Sequence, residues 1–346
     1  IDDLLRRAME CGASDVHIKP GSAAALRTNG NLYSLGGHIF PPAETLAIAR
    51  QILTGEEYDL FEAEGEIDTS YCLPDIGNFR INLYHQQRAV GIACRIINND
   101  IPSLEALGLP ETCAMLARRL SGLILVTGAT GMGKSTTLAA MINLINEEKN
   151  CHIITLEDPI EYVHKNKKSL ITQREIGRDS RSFPSALRAA LRQDPDVIMI
   201  GEMRDLETIS IALTAAETGH LVMATLHTIN APQSIARIID VFPPHQQRQV
   251  QTQLAISLSG VISQRLLPRK DGSGRAVAAE IMVSTPAVRN LIREGKIHQI
   301  YSAIQTGARY GMQTMESHMQ NLVAGGLINK EDLYTYSADA DFLFQP

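Results

Sequence analysis

The sequence lacks several features that would point to particular classes of protein. None of its five cysteines forms a C-x-x-C pair, which argues against a zinc site and against a redox dithiol, and their odd number is typical of reduced thiols in a cytoplasm. No apolar run approaches the roughly 20 residues of a membrane-spanning helix, so we expect no membrane insertion. A net charge of −6 gives no overall basic excess, and we therefore expect no nucleic-acid partner.

The order of patterns along the chain predicts two domains. Residues 1–97 alternate short helices with strands of mixed character, which predicts a compact α+β domain. A polar, proline-marked junction follows, and we assign residues 98–110 to a linker and residues 111–346 to a second domain. Four apolar strands (123–127, 153–156, 197–200 and 221–226) alternate there with helices, which indicates a parallel sheet covered on both faces. After Ala231 the pattern predicts mainly helix, with a hairpin around residues 271–274.

One stretch of the second domain matches G-x-x-x-x-G-K-[ST] at every fixed position, between a predicted strand and a predicted helix. Glycines let the backbone wrap an anion, and the amides at the start of the helix point at phosphate oxygens. Lys134 can reach the β- and γ-phosphates of ATP, and the Ser135 hydroxyl can ligate Mg²⁺. The predicted ATP-binding residues are Gly128, Ala129, Thr130, Gly131, Met132, Gly133, Lys134, Ser135 and Thr136.

Polar residues follow the other predicted strands of this sheet. Ligands of open α/β sheets bind at the carboxyl ends of the strands, so we expect these residues to converge on the γ-phosphate. They are Glu157, Asp158 and Glu161 after the second strand, Glu202 after the third, and His227 after the fourth.

Charge suggests a role for each of these groups. Glu161 suits Mg²⁺ or its waters, Glu202 suits the attacking water, and His227 could donate to a γ-phosphate oxygen. Alternatively, the acids cap helices or pair with nearby arginines, and Glu157 and Asp158 fit either a site or a turn. His220, another candidate, equally fits a role in shaping the turn before its strand.

Taken together, these segments resemble the secretion ATPase superfamily, the hexameric motors of type II secretion and type IV pili. Residues 154–162 match the aspartate box of the superfamily, 194–205 its Walker B segment, and 218–228 its histidine box. Residues 13–17 and 287–294 further resemble the retraction ATPases of type IV pili, with Val288 where isoleucine is usual. Ala129 and Met132 replace the common proline and serine of the phosphate loop, at positions where the motif varies.

The resemblance implies a PAS-like α+β N-terminal domain followed by a RecA-like P-loop ATPase domain, assembled as a homohexamer. It implies an ATP site between the domains, completed by Arg80 and Arg95, although both would also suit outward-facing strand positions. It further implies a cytoplasmic, Mg²⁺-dependent ATP hydrolase that acts on an inner-membrane pilus platform protein, at the cytoplasmic face of that membrane, and powers pilus retraction and twitching motility.

Residues 287–294 have two interpretations. They follow Thr285 and Pro286, a typical helix start, and Arg289 and Arg293 lie on a charged face. The helix either packs as an ordinary amphipathic element or, as the resemblance implies, transmits motion.

Two rival functions remain. The first is an assembly or secretion ATPase, a class that typically carries a longer N-terminal region and a tetracysteine zinc insert, neither of which is present here. The second is a non-hydrolysing, nucleotide-gated scaffold, against which an intact Lys134, Ser135 and Glu202 argue.

Overall fold

The computed structural model describes residues 1–28, 31–73, 76–97 and 100–336, with the side chains of 334–336 left out. These residues form two compact units. One comprises Ile1–Asp100 together with Glu161–Val163, and the other comprises Ile101–Ile160 and His164–Pro346. Leu104 and Leu109, which lie in the predicted linker, are buried in the core of the second unit. Residues 98 and 99 of the predicted junction lie outside the described residues.

The first unit is a six-stranded antiparallel sheet with helices. Its strands follow the spatial order β3-β2-β1-β6-β5-β4. The helices are α1 (Asp2–Glu10), α2 (Pro42–Ile52) and α3 (Gly55–Glu64), and the strands are β1 (Asp15–Ile18), β2 (Ala25–Thr28), β3 (Asn31–Ser34), β4 (Glu66–Leu73), β5 (Gly77–Gln86) and β6 (Ala89–Ile97).

Alternating side chains divide this sheet into an apolar and a polar face. In β5, Phe79, Ile81 and Leu83 are fully buried, and the residues between them are only partly buried. Since successive side chains of a strand point to opposite faces, every second residue of β5 enters the core. The other face of the sheet therefore keeps its polar side chains accessible.

The second unit is a seven-stranded sheet with helices on both sides. The spatial order is β13-β12-β7-β11-β10-β8-β9, and every neighbouring pair is parallel except β12 and β13. The strands are β7 (Gly122–Thr127), β8 (His152–Glu157), β9 (Leu170–Glu175), β10 (Val197–Ile200), β11 (Leu221–Leu226), β12 (Leu258–Pro268) and β13 (Arg275–Val283). The helices are α4 (Glu111–Ala117), α5 (Lys134–Glu148), α6 (Phe183–Ala190), α7 (Leu206–Glu217), α8 (Ala231–Asp240), α9 (Pro244–Ser257), α10 (Pro286–Arg293), α11 (Ile300–Gln305), α12 (Met315–Ala324) and α13 (Lys330–Tyr336), with short 3₁₀ turns at Ile297–Gln299 and Ala308–Tyr310.

The central strands of this sheet are buried on both faces. In β7, Leu123 and Leu125 pack into one apolar core, and Ile124 and Val126 pack into another. Helices cover both sides, which is why these strands read as continuous apolar runs. The predicted fold class, an α+β domain followed by a P-loop ATPase domain, is confirmed.

Two parts of the sheet differ from the sequence-based prediction. The parallel strand β9 was not predicted. The region after Ala231, predicted as mainly helical, also contributes the long strands β12 and β13, which pair antiparallel around the predicted hairpin. Within the described part of the chain, no helix combines the length and the apolar character needed to cross a bilayer.

Candidate nucleotide site

The phosphate loop joins β7 to α5 and adopts a backbone that favours glycine. Gly128 has φ 146°, and a Cβ atom there would lie 2.5 Å from the Gln264 carbonyl oxygen. Gly133 has φ 79° and forms the left-handed residue before α5. A side chain at Gly128 would force the loop away from β12, so the motif's first glycine has a packing reason as well as a conformational one.

Lys134 begins α5, and its side chain folds back along the loop. It is only 9% exposed, and its Nζ donates to the Gly128 carbonyl at 2.8 Å and to the Ala129 carbonyl at 3.1 Å. Ser135 and Thr136, in the first helical turn, are partly buried. The positive end of a helix and a buried ammonium group therefore lie together at the loop, which is the arrangement that favours an anion.

The tip of the loop is held from outside by the β12–β13 hairpin. The Gln264 Nε2 donates to the Met132 carbonyl at 2.6 Å, and the Arg275 Nη1 donates to the Gly131 carbonyl at 3.4 Å. The backbone amide of Leu266 approaches the Met132 sulfur at 3.3 Å. The sequence-based prediction missed these contacts. The available signal was the polar pair Ser263-Gln264 inside an apolar strand.

Glu202 and His227 are brought together at the carboxyl edge of the same sheet. The His227 Nε2 lies 3.0 Å from the Glu202 Oε1, and the Arg204 Nε binds the same oxygen. The Thr225 hydroxyl donates to the Gly201 carbonyl, and the amide of Met203 donates to the Thr225 carbonyl at 3.2 Å. These bonds tie the end of β10 to β11, so the Glu202 and His227 loops are held as one structure.

The electrostatic surroundings keep Glu202 ionised. Partial burial by itself would raise the pKa of this carboxyl, but the hydrogen bond from Arg204 and the charge and hydrogen bond of His227 outweigh it, and the net pKa lies below its ordinary value. An ionised carboxylate is the form needed to orient a water molecule. The alternative predicted for this acid, pairing with a nearby arginine, is also observed, because Arg204 binds Glu202.

The remaining predicted carboxylates occupy different positions. Glu157 ends β8 and is buried, where its Oε1 accepts from the Thr155 hydroxyl at 2.7 Å and from the Gln173 amide at 3.2 Å. The hydrogen bond that Arg204 donates to Glu202 and, more weakly, the charge of Asp158 raise the pKa of Arg204. Glu161 belongs to the short segment Glu161–Val163 that groups with the first unit. Its role toward Mg²⁺ stays a prediction.

His220 is not part of this cluster. It precedes β11, at the opposite end of the strand from His227, and its Nδ1 lies 3.0 Å from the Ala215 carbonyl and 3.3 Å from the Thr218 hydroxyl. These contacts close the turn between α7 and β11. Within one chain, these contacts agree with the alternative interpretation, in which His220 shapes the turn before β11.

Arg80 and Arg95 lie opposite one another on the accessible face of the first unit's sheet. The Arg95 Nε donates to Asp15 at 3.0 Å, and the Arg80 Nη2 lies 3.7 Å from Asp68. With His17, Asn82, Ala93 and Cys94 they line a cavity of about 220 Å³. Both guanidinium groups are well exposed, so the structure brings the two arginines together and leaves them accessible.

Arg289 and Arg293 lie on α10, whose Val288 and Ile292 are fully buried. The Arg293 side chain is exposed, whereas the Nε atom of Arg289 is buried without a hydrogen-bond partner among the described residues. The Thr285 hydroxyl caps the helix by accepting from the Val288 amide at 3.4 Å. The amphipathic helix predicted here is present.

Comparisons with known proteins show the family to which the chain belongs. The model of the "Type II/IV secretion system protein" family matches residues 1–334. The chain belongs to this family. The type IV pilus retraction ATPase PilT of Pseudomonas aeruginosa is 48% identical over 335 residues, covering 96% of each chain. A twitching motility protein of Neisseria gonorrhoeae is 48% identical over 306 residues, covering 88% of this chain and 82% of the relative.

A solved structure extends the family relationship to the fold. The crystal structure of the pilus retraction motor PilT with bound ADP superimposes with a TM-score of 0.92 at 46% identity, covering 99% of this chain and 98% of that one. The predicted resemblance to retraction ATPases and the prediction of an ATP hydrolase are thereby confirmed.

Proposed function

We propose that this chain is the ATPase motor that powers retraction of type IV pili. One observation carries the proposal. A complete phosphate loop and the Glu202–His227 pair occupy one edge of the sheet, in a chain related to PilT along nearly its whole length. The phosphate loop and the Glu202–His227 pair support ATP hydrolysis. The relationship to PilT supports pilus retraction as the process that hydrolysis powers.

The predicted site residues divide the chemistry among them. The amides of the loop and of the first turn of α5 bind the phosphates, and the ammonium of Lys134 exchanges its carbonyl partners for phosphate oxygens. The Ser135 hydroxyl would hold Mg²⁺, with Glu161 as the further candidate, and the ion would neutralise phosphate charge. Glu202 orients the attacking water, and His227, beside it, donates toward the γ-phosphate.

Assembly and location extend the proposal. As the family resemblance implies, we infer a homohexamer in which Arg80 and Arg95 complete the ATP site and stabilise charge on the transferred phosphoryl group. The ring would act at the cytoplasmic face of the inner membrane on a pilus platform protein. The exposure of both arginines supports this role, because a partly solvated guanidinium can reach a ligand.

The test uses Glu202→Gln in the full chain. Because the water loses its orienting carboxylate, kcat should fall by about 10² to 10⁴ while ATP still binds. Lys134→Ala should weaken ATP binding as well. Glu207→Gln is a matched control, since Glu207 is an exposed carboxylate that pairs with Arg188. Cells whose own copy is replaced by Glu202→Gln should assemble pili but not retract them.

Two results would contradict the proposal. Absence of turnover in the purified wild-type ring would favour the nucleotide-gated scaffold. Loss of pili, instead of loss of retraction, in cells carrying Glu202→Gln would favour an assembly ATPase.

A further inference from the structure

Glu280 is a buried carboxylic acid that the chemistry described so far does not use. It lies in β13, is only 2% exposed, and its Oε1 accepts from the backbone amide of Ala231 at 2.7 Å. Ala231 is the first residue of α8, and the loop immediately before it begins with His227. Glu280 thus connects an edge strand of the sheet to the segment that carries the histidine facing Glu202.

Strand register places Glu280 level with the end of β7. Ser263 of β12 is opposite Glu280 of β13 and also opposite Thr127 of β7. Directly opposite residues share a face of the sheet, and the Thr127 and Ser263 hydroxyls are 2.9 Å apart. Since Thr127 directly precedes Gly128, a buried polar row runs from the base of the phosphate loop toward the start of α8.

Helix α8 does not need Glu280 in order to begin. The Asn230 side chain caps it by accepting from the Gln233 amide at 2.9 Å, and the Ser234 hydroxyl bonds both to the Asn230 carbonyl and to Thr228. The contact from Glu280 differs from these local bonds, because it joins the first backbone amide of the helix to the sheet. A buried carboxylate is costly unless it is paired, so its presence in a core position calls for an explanation.

The charges around Glu280 bear on its protonation. The pKa of Glu280 is raised to about 7, because burial and, more weakly, the charge of Glu316 on α12 raise it by more than the hydrogen bond from Ala231 lowers it. Ser263 of β12 is neutral, and Tyr301 of α11 donates to Glu316. Both protonation states of Glu280 are therefore populated near neutral pH, and the ionised state holds the amide at the positive helix end more strongly.

We propose that Glu280 is a positioning residue for ATP hydrolysis, which fixes the start of α8 and thereby holds His227 against Glu202. The proposal rests on the function proposed above for His227. It differs from a general stabilising role, because a displaced loop should lower the rate of the chemical step more than the affinity for ATP. Nucleotide affinity resides in the phosphate loop, which Glu280 does not touch directly.

The experiment compares Glu280→Ala and Glu280→Gln with the wild-type full-length ring. Misplacing a catalytic group by an ångström is costly, so we expect Glu280→Ala to lower kcat by at least about tenfold, with the KM for ATP changed by less than about twofold. Glu280→Gln keeps an acceptor for Ala231 and should lower kcat less. The kcat of the wild type should rise with pH through about 7, and this rise should disappear in Glu280→Gln.

Two further variants make the test specific. In a double-mutant cycle, Glu280→Ala should have little further effect once His227→Ala is present, because both changes remove the same arrangement. Glu316→Gln removes the neighbouring charge, so it should leave kcat at high pH unchanged and move the pH midpoint downwards.

The outcomes separate this proposal from the proposed function. Multiplicative effects of the two mutations, a normal kcat in His227→Ala, or an unaltered pH profile in a folded Glu280→Gln would each overturn the positioning role. The ATPase function itself fails only if the wild-type ring lacks turnover, whereas turnover retained by Glu202→Gln would overturn only the role assigned to Glu202.

Discussion

Gln264 is a polar residue in an apolar strand, and it contacts the phosphate loop through both its backbone and its side chain. A side chain at Gly128 would clash with the backbone carbonyl oxygen of Gln264. The side-chain Nε2 of Gln264 donates to the Met132 carbonyl. The residue is 4% exposed, and its Oε1 is buried without a hydrogen-bond partner in the described part of the chain. Gln264 therefore shapes the loop without belonging to the motif.

We expect Gln264→Ala to weaken ATP binding by about two- to twelvefold, because one buried hydrogen bond contributes roughly 0.5–1.5 kcal/mol. The kcat at saturating ATP should change less, since Glu202 and His227 are untouched. Calorimetric titration with a non-hydrolysable analogue measures the effect. Gln247→Ala is the matched control, because that side chain also donates to a backbone carbonyl, of Phe242 at 3.0 Å, but away from the loop. Equal affinities of the two variants would refute the bracing role.

The predictability of single residues follows from how local their contacts are. The phosphate loop could be identified because its function lies in consecutive residues. Glu202 and His227 could be placed together because the carboxyl ends of parallel strands share an edge. Gln264, Arg275 and Glu280 could not, because each acts on a segment 49 or more residues away.

Helix α9 and strand β12 show why one element was missed. Helix α9 ends at Ser257 and β12 begins at Leu258, with no intervening loop. Neither residue at the junction is a glycine or a proline, the first glycine being Gly260 inside the strand, and a buried apolar run cannot be assigned to helix or strand by periodicity alone. Strand β9 was missed for another reason. It lies at the edge of the sheet beside β8, and its residues are polar and apolar in mixture.

Helix α10 has one buried apolar face and one face that carries Arg289 and Arg293, and variants on the two faces test whether the second has a motor role. Arg289→Ala with Arg293→Ala should leave the fold and the ring intact and change basal ATPase only modestly, because neither residue contacts the phosphate loop in the second unit. Pilus retraction in cells should fail if this face transmits motion. Ile292→Ala is the contrasting variant, since removing a fully buried isoleucine side chain should cost about 2–5 kcal/mol of stability.

Thermal unfolding, ATPase rate and twitching of normally expressed variants distinguish these effects. Wild-type twitching in the double arginine variant would refute an output role for α10. Collapse of its ring would assign the arginines to structure instead.

For the whole molecule, the division into two units predicts how activity depends on each. A fragment covering residues 101–346 should bind ATP with nearly the affinity of the full chain, because the phosphate loop and its hairpin are all included. It should hydrolyse ATP poorly, since Arg80 and Arg95 are missing. The fragment should start before Leu104, because Leu104 and Leu109 belong to its core.

Full-length variants check the same prediction without truncation. Arg80→Ala with Arg95→Ala should lower kcat by at least about tenfold, as expected when charge stabilisation of a transferring phosphoryl group is lost. Arg7→Ala, at the exposed end of α1, is the control. Full activity of the fragment, or of the double variant, would show that the arginines of the first unit are dispensable.

The hairpin that grips the tip of the phosphate loop has a consequence for how this motif could be moved between proteins. Its eight residues are contiguous, yet their shape depends on bonds to Gln264, Leu266 and Arg275, more than 130 residues later. If the same eight residues were grafted between a strand and a helix of another protein, they would keep their glycines and lysine but lose these contacts with the hairpin. A graft should therefore inherit phosphate affinity only if the two hairpin strands are transplanted with it.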